Sequence, residues 1–167
     1  MIEWFIFVLI KLGKTPIFTV EPLTNFNVSF QVSVPFTYGT GVKPISITSS
    51  ESAADSLAVV SGWGTLSAGG STLPSQLHAV EVYLICRAAC NSAYDDDDGI
   101  TKNMICAGVT GGGKDGSHKD SGGPLVVGGQ LVGIVSWGVG CAEAKYPGVY
   151  SNVATLKSFV MNVTGVQ

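Results

Sequence analysis

Residues 119–137 read Lys119-Asp120-Ser121-Gly122-Gly123-Pro124-Leu125-Val126-Val127-Gly128-Gly129-Gln130-Leu131-Val132-Gly133-Ile134-Val135-Ser136-Trp137. A serine beside two glycines opens the stretch, and two apolar runs follow, Leu125–Val127 and Leu131–Trp137, parted by Gly128-Gly129. Runs this short, rich in β-branched residues and bounded by glycine, predict strands. The pattern repeats outward from this stretch: Leu57–Val60, Leu77–Ile85, Met104–Ala107 and Val149–Tyr150 are each bracketed by Gly, Ser, Pro or Asp. Composition agrees with an all-β class. Charged residues make up 13% of the 167-residue chain, about half the usual share of roughly 25%, while 22 glycines and a 46% hydrophobic content suit strands joined by tight turns.

The length allows one main domain with a real core. Residues 35–167 carry the strand pattern, and residues 1–34 form an N-terminal segment with no assigned role, punctuated by Pro16 and Pro22. Near the end, Val153, Leu156, Phe159, Val160 and Val163 recur at the three-and-four spacing of one helix face. Asn152 stands where a side chain caps the first turn, so the spacing predicts a C-terminal helix of about three turns packed on the barrel through that stripe.

Several function classes are excluded or left without support. A net charge of −3 with no cluster of Lys or Arg gives no electrostatic footprint for nucleic acid. The apolar run Trp4–Ile10 is too short to cross a membrane, which takes about twenty residues. Preceded by Glu3 and followed by no small-x-small site, it fits a signal peptide poorly and reads as a buried strand. Cys86, Cys90, Cys106 and Cys141 admit three pairings or a mixture of bridges and free thiols, and no Cys-x-x-Cys spacing suggests zinc. The run Asp95–Asp98 lacks the alternating spacing of a calcium loop and reads as a solvated turn. Two triplets, Asn27-Val28-Ser29 and Asn162-Val163-Thr164, are glycan acceptors if the chain is secreted. Gly108–Asp115 approaches a phosphate-binding loop, but Asp115 follows Lys114 where Ser or Thr must hold magnesium, and no helix follows.

The chemistry concentrates at Ser121. A serine in a glycine-flanked turn presents its hydroxyl outward, and the neighbouring N–H groups converge where the oxyanion of a tetrahedral intermediate sits. Asp-Ser-Gly-Gly-Pro at 120–124 is joined by Met104-Ile105-Cys106-Ala107-Gly108, Gly112-Gly113-Lys114-Asp115, Ser136-Trp137-Gly138 and Pro147-Gly148-Val149-Tyr150. Upstream stand Ser61-Gly62-Trp63-Gly64-Thr65 and Leu73-Pro74-Ser75-Gln76-Leu77. Together, in this order, the motifs resemble the trypsin branch of the chymotrypsin family over roughly residues 35–167.

The resemblance implies an antiparallel Greek-key β-barrel with a C-terminal α-helix, the second barrel of that family, with the first largely missing. It implies secreted cleavage of polypeptides after Arg or Lys, without a cofactor. Ser121 matches the nucleophile, and the N–H groups of Lys119 and Ser121 match the oxyanion donors. Asp120 matches the carboxylate that pairs with the freed N-terminus of an activated enzyme. Asp115 matches the acid at the floor of the specificity pocket, Gly138 and Gly148 its open walls, and Ser136 and Trp137 the strand that holds substrate backbone. Cys90 and Cys106 match a family disulfide, which leaves Cys86 and Cys141 unmatched.

The departures bear on activity. The chain has two histidines, His78 in the alternating run Leu77–Leu84 and His118 three residues before Ser121, and neither stands in the Ala-Ala-His-Cys context of the family's base. No aspartate opens a first-barrel strand, and no Ile-Val-Gly-Gly segment supplies a new N-terminus. The family has glycine where Lys119 stands and a half-cystine where Ser117 stands; loss of that bridge typically costs about 2–5 kcal/mol. The sequence therefore reads as catalytically incompetent in this form. Two alternatives go with this reading: a non-catalytic homologue that binds basic segments or regulatory partners, and an incomplete gene version of an active protease.

Overall fold

Short β-branched runs form strands because alternate side chains can bury on one face while turns release the chain every few residues. The computed structural model describes residues 6–9, 27–30, 37–40, 42–66, 70–94, 99–109, 120–139 and 145–164, with backbone alone at 6–9, 27–30 and 163–164. The elements in chain order are β1 (Ile6–Leu9), β2 (Asn27–Phe30), β3 (Ser46–Ile47), β4 (Leu57–Gly62), β5 (His78–Ile85), α1 (Arg87–Ala93), β6 (Met104–Gly108), β7 (Pro124–Val127), β8 (Gln130–Trp137), β9 (Gly148–Asn152) and α2 (Val153–Thr164).

Strands β4, β5 and β6 form an antiparallel meander, and β7 returns to lie beside β4, which is the Greek-key order. Pairing of β7 with β8, β8 with β9 and β9 with β6 closes a six-stranded barrel. Beyond the end of β9, the short β3 runs parallel to β8 at Gln130–Leu131. β1 and β2 form a separate parallel pair, with Ile6 opposite Asn27. β1 thus lies within the apolar run Trp4–Ile10; its side chains lie outside the described residues. Gly128 and Gly129, at φ 55° and 80°, turn β7 into β8 with both central residues left-handed, a conformation glycine adopts without a Cβ clash.

The alternation read from the sequence becomes a two-faced sheet. In β4, Ala58 and Val60 point in while Leu57 and Val59 stay exposed; in β5, Val82 and Leu84 point in while Glu81 and Tyr83 stay exposed. These inward residues meet Ile105, Ala107, Leu125, Val132, Val135 and Tyr150 in the barrel core. Each fully buried Val or Leu there contributes about 1.5–3 kcal/mol. All five residues of β9 are buried because Tyr150 enters that core while Val149, on the other face, joins Cys90, Tyr94, Ile100 and Cys106 beneath α1.

Helix α1 has no strong sequence signature: seven residues, no side-chain cap at Cys86 and no charged residue placed against its dipole. Its anchor is covalent, a Cys90–Cys106 disulfide fixing it to β6. Cys86 carries a free, exposed thiol. Helix α2 starts where Asn152 accepts the Ala154 N–H at 3.1 Å through Oδ1, and the same buried side chain donates to the Lys102 carbonyl at 3.2 Å. Val153 packs with Leu131 and Ile134, while Leu156, Phe159 and Val160 are half-buried and Thr155, Ser158 and Asn162 exposed. Among the described residues no helix is long and apolar enough to cross a membrane.

Candidate active site

Ser121 sits at the second position of a tight turn. The Gly123 N–H donates to the Asp120 carbonyl at 2.8 Å, and Gly122 takes φ 86°, the left-handed value that a type II turn demands at its third position. The turn is fastened to β8, because the Gly122 N–H donates to Val135 O at 2.9 Å and the Val135 N–H to Gly123 O at 2.9 Å. Both glycine amides are thereby engaged within the protein. The Ser121 N–H has no acceptor among the described residues, and the residue is exposed.

On the inner side of the turn lies the Asp120 carboxylate. Its Oδ1 accepts the Gly64 N–H at 2.7 Å. A Cβ on Gly62 would overlap that same oxygen, and one on Gly64 would overlap the carboxyl carbon. The two glycines of Ser61-Gly62-Trp63-Gly64-Thr65 therefore leave the space in which the aspartate seats, and so couple β4 to the serine turn. Sequence reading registered the motif but not this contact. Alternating glycines around an aromatic were its signal, since a strand end with two missing side chains implies a close approach.

The end of β8 and the start of β9 lie side by side. A Cβ on Gly138 would stand 3.8 Å from Gly148 Cα and 3.9 Å from Tyr94 Oη. Tyr94 is buried; its hydroxyl donates to the Pro147 carbonyl at 2.6 Å, and its ring meets Trp137 edge-on at 4.9 Å between centroids. Tyr146 closes the other side at 5.5 Å. The structure thus brings together Trp137, Gly138 and Gly148, with Ser136 preceding them on β8, and adds Tyr94, which sequence reading missed because α1 itself carries so weak a signature. Asp115, Ser117, His118, Lys119, Asp95–Asp98 and Cys141 lie outside the described residues. His78 opens β5 opposite Gly62 and is exposed.

The Trypsin family model matches residues 21–160. The chain belongs to the trypsin family. The match begins upstream of Pro35 and so takes in part of the N-terminal segment. Among relatives, the chain is 51% identical over 126 residues to trypsin beta of Drosophila erecta, covering 75% of this chain and 49% of that protein. It is 44% identical over 146 residues to trypsin delta of Drosophila melanogaster, covering 87% and 57%. It is 45% identical over 143 residues to trypsin alpha-3 of Lucilia cuprina, covering 85% of each. The chain spans about half the length of the two Drosophila trypsins. Among solved structures it resembles neuropsin, a serine protease expressed in the limbic system of mouse brain, with a TM-score of 0.76 and 32% identity over 80% of this chain and 59% of that one. The closed barrel and the C-terminal helix thus match the trypsin-like fold.

Proposed function

We propose that this chain is the serine-bearing half of a trypsin-like endopeptidase, shaped to receive an arginine or lysine side chain and unable by itself to hydrolyse a peptide bond. The observation that carries the reading is the exposed Ser121 on a turn fixed by Gly122, Gly123 and the seated Asp120 carboxylate. In this reading Ser121 is the nucleophile, and its own N–H and that of Lys119 face the developing oxyanion. Asp115 takes the substrate cation at the pocket floor, between the open walls at Gly138 and Gly148, while Ser136 and Trp137 hold substrate backbone.

Catalysis stops at the proton. A serine hydroxyl attacks an amide only when a base removes its proton, and the chain offers His78, exposed on β5, and His118, three residues ahead of the serine. Neither occupies the family's base position. Loss of that base costs on the order of a millionfold in rate, and Lys119 in place of glycine constrains the second oxyanion donor. Treating the purified chain with a fluorophosphonate and an arginyl amide tests this: neither label nor product is expected. Robust cleavage that disappears in Ser121→Ala overturns it.

A second reading draws on the exposed Trp63, Leu66, Leu73 and Leu77. Large apolar side chains left in water fit an interaction surface, so in this reading the chain acts as a binding module whose partner covers them. The expected signatures are benzamidine binding without hydrolysis and self-association by light scattering. The Cys90–Cys106 bridge supports an extracellular setting, since such bonds persist in oxidising compartments.

A further inference from the structure

A disulfide marks an oxidising compartment, and in the secretory route Asn-x-Ser/Thr triplets receive glycans. The chain holds two, at Asn27 and Asn162, in different backbone settings. Asn27–Ser29 lies inside β2, register-paired with Ile6–Val8, so glycan transfer there requires the ladder to open. Asn162 stands in the last turn of α2, exposed, and its carboxamide makes no hydrogen bond to any described residue.

The helix itself orients it. Exposed Thr155, Ser158 and Asn162 are spaced three and four apart, which is one face, while Val153 is buried against Leu131 and Ile134 and Leu156, Phe159 and Val160 are half-buried. That outer face carries no charge among these three residues, and the final turn of a helix lacks onward backbone partners. Asn162 follows Val153, Leu156, Phe159 and Val160 in the helix, so this end can fray while those four keep their places. We infer that Asn162 is an N-glycosylation site. Its Nδ2 attacks the anomeric carbon of an oligosaccharide carried on a lipid pyrophosphate; a C–N bond forms, the C–O bond to pyrophosphate breaks, the lipid pyrophosphate departs and the amide gives up one proton.

The inference rests on the extracellular reading, and the test separates the two. The full chain is expressed behind an added secretion leader in insect cells, which supplies the compartment whatever the chain's own targeting, and is compared with Asn27→Gln, Asn162→Gln, Thr164→Ala and Thr164→Ser with and without peptide-N-glycosidase. One glycan is expected on the wild type, Asn27→Gln and Thr164→Ser, and none on Asn162→Gln and Thr164→Ala. An additional glycan at Asn27 leaves the assignment standing. A wild type without glycan, or with a glycan lost only in Asn27→Gln, overturns it.

Discussion

Replacing both Cys90 and Cys106 by alanine tests whether the cross-link, more than local propensity, holds α1 in place. The bridge closes a loop across a sequence separation of 16, for which loop-closure entropy amounts to about 3 kcal/mol at 25 °C. Both residues are buried in the cluster that contains Tyr94 and Val149, so truncation adds a packing loss to the roughly 3 kcal/mol of the cross-link itself. With a urea dependence of about 2 kcal/mol per molar, the midpoint should fall by about 1.5 M. For a chain of this size the melting temperature should drop by about 6–12 °C. The experiment belongs in a Cys86→Ser background, because the free thiol of Cys86 lies one helical turn from Cys90 and could exchange with the bridge in the reference protein. Trp fluorescence is a suitable probe, since Trp137 packs on Tyr94, the residue that ends α1. A midpoint unchanged within about 0.3 M, roughly 0.6 kcal/mol, would refute the argument and place the stability of α1 in its apolar contacts.

Three other substitutions address the site and its frame. Tyr94→Phe removes the donor to the Pro147 carbonyl and should cost about 1–3 kcal/mol in urea titration while weakening benzamidine binding, because the bond holds the wall beside Gly148. Gly64→Ala drives a methyl into the Asp120 carboxylate; a loss of about 1–3 kcal/mol is expected, with altered amide shifts at Gly122 and Gly123, and an unperturbed spectrum would contradict the seating described. Asn152→Ala removes the cap of α2 and the donor to Lys102 O and should lower stability by about 0.5–2 kcal/mol for the cap alone, measured by thermal denaturation.

The barrel was legible because its signals are local. Each apolar run in the second half of the chain became a strand within a residue or two of its ends, and Asn152 caps α2 as its position implied. The elements that escaped depend on partners distant in sequence. β3 exists only by lying against Gln130–Leu131, and α1, too short to be stable alone, is held by a bond to a residue on another strand. At the site, the serine turn was evident from glycine chemistry. The seat of Asp120 was not, because it joins positions 56 residues apart and consists of what two glycines omit. Tyr94 was missed for a related reason: its hydroxyl reaches a carbonyl 53 residues away.

Because β8 pairs with β9 as well as β7, the cylinder is sealed, and none of its six strands offers a free row of amides along the region where this closure holds. A companion molecule therefore cannot be recruited by adding a strand there, the commonest route by which incomplete sheets aggregate. In the binding-module reading, association then runs through surface side chains such as Trp63 and Leu77. Point changes at those residues should therefore tune it without unfolding the cylinder.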